Sequence, residues 1–231
     1  NGIKTEQIYV FNEPDGRMTV TVKRKNCRNK NNNCWAGIIP VANAVCKRSF
    51  IKSRCECADK GLCTVVLRQT DCFGFKYGMA EEKSFESDVS GDSFLVSENS
   101  KGILTVAISD GMGTGKRAKD ESQKAMELLK RFSSAGFDAG VSAGILNSVL
   151  LGQGDGELFT TLDVCCIDMY TGKGQLIKNG GSTAFIIRDG RVTSIRSTSL
   201  PIGILKSVDS DITNFKLDDG DMLLMVTDGV V

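Results

Sequence analysis

The sequence contains no histidine, and this absence excludes several classes of enzyme at once. Serine hydrolases with a Ser-His-Asp triad, cysteine proteases with a Cys-His pair, imidazole zinc sites and phosphotransfer through histidine all need the imidazole ring. Hydrolytic chemistry in this chain must therefore depend on carboxylates, bound metal ions or thiols.

Other absences narrow the class of protein. No apolar run approaches the roughly 18 residues of a membrane span, and no signal peptide opens the chain. The net charge is +1 over 231 residues, so the chain has no general attraction for nucleic acid or anionic membranes. The sequence begins at Asn1 without Met and ends at Val231 directly after a predicted strand. We therefore interpret it as a fragment of a longer protein with no nucleic-acid partner.

Cysteine is plentiful, yet the usual zinc-knuckle spacing is missing. Of the nine cysteines, seven fall between Cys27 and Cys72, and none of them forms a Cys-x-x-Cys pair. Reduced thiols are the default in a chain without a secretion signal. A metal or cluster site and disulfide bonds remain alternative interpretations of this cluster.

Hydrophobic patterning predicts an α+β fold. Residues 7–11 and 18–22 alternate like the strands of a hairpin, and residues 40–50 are predicted as a helix with Pro40 in its first turn. Further strands are predicted at residues 62–68, 73–79, 175–178, 184–188, 191–195, 212–215 and 222–226. Two helices, at residues 116–135 and 138–150, interrupt the strands. Antiparallel strands with inserted helices indicate a β-sandwich flanked by helices.

Acidic residues stand at the ends of apolar strands. Asp110-Gly111 follows the predicted strand at residues 103–108, and Asp228-Gly229 follows the strand at residues 221–226. A third acid, Asp92, lies at the start of another strand. Hard divalent cations prefer carboxylate and carbonyl oxygens, and glycine lets a main-chain oxygen approach closely. The pattern predicts an oxygen-ligand site for two metal ions, although ordinary Asp-Gly turns are the alternative.

The glycine-rich turn after Asp110 does not fit either common nucleotide-binding fingerprint. A P-loop ending at Gly115-Lys116 would need glycine at position 110 and Ser or Thr in place of Arg117. A dinucleotide fingerprint beginning at Gly111 would need glycine in place of Lys116. The spacing therefore argues against both a P-loop and a dinucleotide-binding motif.

Several motifs together resemble a known family. They are Ser90-Gly-Asp-Ser93, Ser109-Asp-Gly-Met-Gly-Thr-Gly-Lys-Arg-Ala118, Thr160-Thr-Leu-Asp163, Gly181-Ser-Thr183, Leu200-Pro-Ile-Gly203 and Thr227-Asp-Gly229. In order and spacing they resemble the stage II sporulation protein E branch of the metal-dependent type 2C serine/threonine protein phosphatases. The resemblance covers residues 78–231, and residues 1–77 look like the end of that family's regulatory region.

The resemblance implies an α-β-β-α sandwich that holds two Mn²⁺ or Mg²⁺ ions and removes phosphate from phosphoserine or phosphothreonine. Carried over by motif, Asp110 and Asp228 are the catalytic acids, and Asp92, Asp110, Gly111 and Asp228 are the metal-binding residues. A hydroxide that bridges the two metal ions would attack phosphorus, which requires no histidine.

The resemblance also implies partners and a location. The expected substrate is the phosphoserine form of an anti-anti-sigma factor, whose dephosphorylation activates a sporulation sigma factor, and the family allows a homodimer. The domain would lie in the cytoplasm, and the full-length parent would be anchored in the membrane at the division septum. The alternative function is a catalytically silent module that binds a phosphoprotein through the same cleft.

One departure concerns the C-terminus. The family has a further metal-binding aspartate, a strand and a helix after the second Asp-Gly pair, and this sequence stops at Val231. We expect an incomplete phosphatase domain that alone is weakly active or inactive. Equal activity in this chain and in a C-terminally extended chain would contradict that expectation.

Overall fold

The computed structural model describes residues 4–14, 16–25, 34–57, 62–81, 89–99, 101–113, 115–152, 159–207 and 209–230. The chain divides into two compact units, Asn1–Gly74 and Phe75–Val231. In the described residues, no helix is both long enough and apolar enough to cross a membrane.

The first unit is a four-stranded antiparallel sheet covered by one helix. Its elements are β1 (Gln7–Asn12), β2 (Met18–Arg24), α1 (Cys34–Cys46), β3 (Ser49–Cys57) and β4 (Cys63–Thr70), and the strand order is β1-β2-β4-β3. The predicted hairpin is confirmed as β1 and β2. Its core joins strand residues such as Val65 and Leu67 to Ile38 and Ala42 of α1.

Two sequence predictions for residues 40–79 are wrong. The helix begins six residues before Pro40, because Trp35, Ile38 and Ala42 follow helical spacing and their packing on the sheet offsets the cost of an internal proline. Phe50 belongs to β3 instead. Residues 73–79 are described throughout and form no strand; Phe75, Tyr77 and Met79 mimic strand alternation but stay exposed, with no neighbouring strand to pair with.

Cysteines of the cluster lie mostly in the first unit's sheet and helix. Cys27 lies outside the described residues, and Cys46, Cys55, Cys63 and Cys72 are free thiols. Cys63 is fully buried in the core, whereas the Cys72 sulfur lies 3.0 Å from the Ser49 hydroxyl. These placements are compatible with a packing role for the cysteine side chains, and they do not favour a role as ligands of one shared metal ion over it.

The second unit contains two antiparallel sheets and two helices. Its elements are β5 (Asp92–Glu98), β6 (Ile103–Asp110), α2 (Lys116–Ser134), α3 (Ala139–Gly152), β7 (Leu162–Asp168), β8 (Lys173–Asn179), β9 (Ala184–Arg188), β10 (Arg191–Ile195), β11 (Asp211–Lys216), β12 (Met222–Leu224) and a 3-10 turn (Asp228–Val230). The sheets have the orders β11-β8-β7-β6-β5 and β10-β9-β12. The predicted fold class, antiparallel sheets with packed helices, is confirmed.

The two faces of the five-stranded sheet differ in chemistry. Successive strand residues point to opposite faces. Leu95, Ala107, Val164 and Ile177 stand opposite one another and belong to the core that the sheet shares with α2 and α3. The adjacent row, on the other face, runs through Ile108, Asp163, Lys178 and Asp211. Asp110 also lies on this second face, so these four charged side chains share one face of the sheet.

Candidate metal centre

Three acidic residues predicted from the sequence meet at one end of the five-stranded sheet. Asp92 at the start of β5 and Asp110 at the end of β6 are directly opposite each other in the strand register. Asp228, at the start of the 3-10 turn, hydrogen-bonds the Asp110 side chain. Asp110 and Asp228 line a small cleft of about 30 Å³, together with Thr161 and residues 180–182.

The three carboxyl groups repel one another. Burial, followed by the negative charges of Asp92 and Asp228, raises the pKa of Asp110 to about 7, and its protonated form also hydrogen-bonds both neighbours. None of the three carboxylates forms an ion pair with Lys or Arg in the described part of the chain. The cleft thus concentrates negative charge without a basic side chain to neutralise it.

The backbone of Asp110 is fixed by two threonines. The Thr161 hydroxyl accepts a hydrogen bond from the Asp110 amide at 2.9 Å, and the Thr160 hydroxyl donates to the Asp110 carbonyl at 2.6 Å. The Thr161 amide donates to the same carbonyl at 3.0 Å. Thr160 is fully buried, and it also hydrogen-bonds Ser109. The Thr160-Thr161 pair therefore determines where the Asp110 carboxylate points.

Glycine is required at position 111 because the first turn of α2 lies against it. A Cβ atom on Gly111 would lie 2.0 Å from the Ala118 carbonyl oxygen. The Gly111 amide donates to the Gly91 carbonyl, and a Cβ on Gly91 would lie 3.1 Å from the Gly111 carbonyl oxygen. Two small residues thus leave the Gly111 carbonyl room beside the Asp110 side chain.

Asp92 and the adjoining Gly91 are held by contacts from two segments, the residues after β12 and helix α2. Its carboxylate accepts a hydrogen bond from the Thr227 hydroxyl at 3.1 Å, which brings the segment after β12 to the start of β5. Lys119 of α2 donates to the Asp92 backbone carbonyl and pairs with Glu81 at 3.1 Å. Ser122 donates to the Gly91 carbonyl at 2.5 Å. One helical turn of α2 therefore supports the backbone on both sides of Asp92.

The donor set suits a hard divalent cation. Carboxylate and carbonyl oxygens are what Mg²⁺ and Mn²⁺ prefer, and such ions commonly keep several waters beside one or two carboxylates. Within the described residues, no three Asp, Glu or Cys side chains are arranged to chelate a single ion by themselves. Water and the Gly111 carbonyl would have to complete the coordination. The excess of negative charge and the space beside Gly111 fit such a cation.

The structure brings the predicted residues Asp92, Asp110 and Asp228 together. The backbone of Gly111, the fourth predicted residue, lies next to them. Sequence reasoning missed the supporting residues Thr161 and Lys178. Thr160-Thr-Leu-Asp163 was visible as a motif, but its role depends on the pairing of β6 with β7. Asp163 and Lys178 form a buried ion pair under the cleft, and burial raises the pKa of Asp163 while Lys178 opposes that shift.

Comparisons with known proteins show which sequences and structures the chain is similar to. A family model described as stage II sporulation protein E matches residues 100–231. The chain is 30% identical over 231 residues to stage II sporulation protein E of Priestia megaterium, covering 99% of this chain and 39% of that protein. It is 32% identical over 170 residues to the protein of that name from Bacillus subtilis strain 168, covering 74% of this chain and 21% of that protein. The chain spans less than half the length of either relative.

A solved structure supports the fold over nearly the whole chain. It contains the PP2C phosphatase domain and a fragment of the regulatory domain of SpoIIE from Bacillus subtilis. The TM-score is 0.77 at 26% identity, and the match covers 99% of this chain and 66% of that one. The second unit therefore has a phosphatase fold with the acidic cleft at one end of its sheet.

Proposed function

Because the chain belongs to the stage II sporulation protein E family of type 2C protein phosphatases, we propose that it hydrolyses phosphoserine or phosphothreonine in a protein, with Mn²⁺ or Mg²⁺ as cofactor. The observation that carries this proposal is the group of three carboxylates, Asp92, Asp110 and Asp228, with no basic partner in the described structure. Such a group is unfavourable alone and is stabilised by divalent cations.

The residues take different roles in this proposal. Asp110 has both other acids as neighbours, and in this proposal Asp110, Asp228 and the Gly111 carbonyl would hold the metal ions. Asp92, which the Thr227 hydroxyl holds, would act through bound water. Thr160 and Thr161 fix the Asp110 backbone so that its carboxylate needs no rearrangement when the cations bind.

Bound cations of this type lower the pKa of water and neutralise negative charge on a phosphoryl group. The residues of the chain itself would position the substrate and leave it access to the cleft. Gly113, three residues after Asp110, has open space where a Cβ atom would lie, which would leave room for a phosphorylated segment. With no histidine in the sequence, water would protonate the departing serine or threonine oxygen.

We further propose a biological setting from the family. The substrate would be the phosphoserine form of an anti-anti-sigma factor, and its dephosphorylation would activate a sporulation sigma factor. The first unit, with the residues up to position 77, would be the end of a regulatory region. The domain would act in the cytoplasm as part of a parent protein anchored in the membrane at the division septum, with a homodimer as one form of assembly.

The test combines metal binding with phosphate release. Mn²⁺ affinity is measured by titration calorimetry, and phosphate release is measured from a phosphoserine protein with this chain and with a chain that continues past Val231. Asp110→Asn should abolish both, because it removes the carboxylate that the other acids surround. Asp168→Asn is the matched control, since Asp168 lies at the far end of β7, where its carboxylate accepts hydrogen bonds from the Tyr170 amide and the Thr171 hydroxyl.

Either of two results would contradict the proposal. Phosphate release that persists in Asp110→Asn would place the chemistry elsewhere. Mn²⁺ binding that depends on Asp110, without phosphate release from either chain, would favour a catalytically silent phosphoprotein-binding module.

A further inference from the structure

Two oppositely charged side chains are buried on the same face of the five-stranded sheet as Asp110. Asp163 of β7 and Lys178 of β8 are cross-strand partners, each only 1% exposed, and the Lys178 ammonium donates to the Asp163 carboxylate. Their chain neighbours Leu162, Val164 and Ile177 are fully buried apolar residues. Because well-packed apolar residues often replace a buried ion pair without loss of stability, stability alone does not account for this pair.

The pair directly supports the turn at residues 180–182. The Lys178 ammonium donates a second hydrogen bond to the Ser182 carbonyl oxygen at 2.5 Å. The Asp163 carboxyl group packs under Gly181, where a Cβ atom would lie 2.3 Å from it. The preceding Gly180 has φ +73° and packs equally closely on Pro201. The turn is therefore pressed onto the ion pair with no side chain between them.

This turn is one wall of the acidic cleft. Residues 180–182 line the cleft together with Asp110 and Asp228. Asp163 also stands opposite Ile108 in the strand register, two residues before Asp110 on the same face of the sheet. A change in the ion pair would therefore move the cleft wall and leave the three acids chemically intact.

We propose that Asp163 and Lys178 are positioning residues: they hold residues 180–182 in place as the wall of the cleft beside Asp110 and Asp228. The proposal deepens the proposed function, on which its metal-binding readout rests. Neither side chain contacts a reacting group, because both lie beneath the wall.

The experiment uses single variants and an apolar pair. Asp163→Asn and Lys178→Met each leave one charge buried without its partner, so both should lower the thermal unfolding temperature. They should also weaken Mn²⁺ binding about tenfold, the usual scale for residues that orient a metal site from outside it. The double variant Asp163→Leu/Lys178→Met buries no charge and should recover the unfolding temperature without recovering Mn²⁺ affinity. Arg54→Met, which breaks an ion pair with Glu56 in the first unit, should leave Mn²⁺ affinity unchanged.

Recovery of both properties in the double variant would overturn the proposal and leave the pair a purely structural feature. If the unaltered chain binds no Mn²⁺, the proposed function fails, and hydrogen exchange then decides the positioning role separately. Faster exchange confined to residues 180–182 in the double variant supports the role, and unchanged exchange there overturns it.

Discussion

Single residues in the cleft are held by contacts to the backbone rather than by charge pairing. The Asp110 amide donates to the Thr161 hydroxyl, and the Asp110 carbonyl accepts from the Thr160 hydroxyl and the Thr161 amide. The Ser122 hydroxyl donates to the Gly91 carbonyl, one residue before Asp92. Such contacts fix side-chain direction without neutralising the carboxylates. No basic side chain in the described structure pairs with these carboxylates, and a divalent cation that binds them would displace the proton that the raised pKa of Asp110 favours.

Substitution of Gly111 tests whether its close packing against α2 matters for stability and metal binding. In Gly111→Ala the new methyl group would lie 2.0 Å from the Ala118 carbonyl oxygen, so the start of α2 or the turn after Asp110 must shift. We expect a loss of about 1–3 kcal/mol in the free energy of unfolding, as for other overpacked sites. Mn²⁺ affinity should fall as well, because the Gly111 carbonyl moves.

The matched control for Gly111 is Gly144→Ala, in the middle of α3. A Cβ atom there meets nothing within 4 Å, so this substitution should be neutral or stabilise the helix by up to about 1 kcal/mol. Both variants are compared by urea unfolding and Mn²⁺ titration. A Gly111→Ala protein with unaltered stability and metal affinity would show that the close packing against α2 is unimportant.

At the scale of secondary structure, an ion pair between Arg188 and Asp221 stabilises the edge of the three-stranded sheet. Arg188, at the end of β9, donates from Nε and Nη2 to the Asp221 carboxylate just before β12, at 3.0 and 2.5 Å. The Asp218 amide donates to the same carboxylate at 2.7 Å. The short strand β12, which leads into Asp228, is thereby joined to the longer β9.

This pair should give a measurable pH dependence. Hydrogen bonds from Arg188 and from the Asp218 amide hold the pKa of Asp221 below its ordinary value of 3.8. A carboxyl group whose pKa is lowered by folding stabilises the protein above that ordinary value, and the contribution is lost as the pH falls through the folded pKa. Asp221→Asn should therefore lower the unfolding temperature at pH 7, and the difference from the unaltered chain should shrink toward pH 3.

Asp219→Asn controls for the loss of one negative charge in the same turn. Asp219 is exposed, so its replacement should change stability by no more than about 0.5 kcal/mol at either pH. A deficit in Asp221→Asn that is equally large at pH 3 and pH 7 would mean that the lost contact is steric rather than ionic.

The sequence predicts an element well where the residue pattern within that element is sufficient, and poorly where the element depends on its pairing with distant residues. Strands β9 and β10 have the predicted bounds, and α3 begins within one residue of the predicted start, where the Asp138 carboxylate accepts a hydrogen bond from the Gly140 amide. Strand β3 was missed, because its polar residues show little alternation and its pairing with β4 is a tertiary property. The Asp163–Lys178 pair was invisible for the same reason, since only the β7–β8 register brings the two residues together.

In the molecule as a whole, the two units have separate cores. One core consists of residues from β2, α1, β3 and β4, and the other joins α2 and α3 to the five-stranded sheet. The single tryptophan, Trp35, packs against the first core, whereas the metal-binding residues we propose all belong to the second unit. Tryptophan fluorescence and Mn²⁺ titration therefore report on different units of the same chain.

This separation leads to a prediction for the complete chain. Leu67 is fully buried in the first core, so Leu67→Ala should destabilise the first unit by about 2–5 kcal/mol. The urea midpoint followed by Trp35 fluorescence should fall accordingly, while Mn²⁺ affinity, measured without urea, stays unchanged. Leu129→Ala, in the second core, should leave the Trp35 transition in place and lower the midpoint followed by helical circular dichroism. If Leu67→Ala weakened Mn²⁺ binding while the second unit stayed folded, the units would be energetically coupled, and the first unit would then act directly on the metal centre.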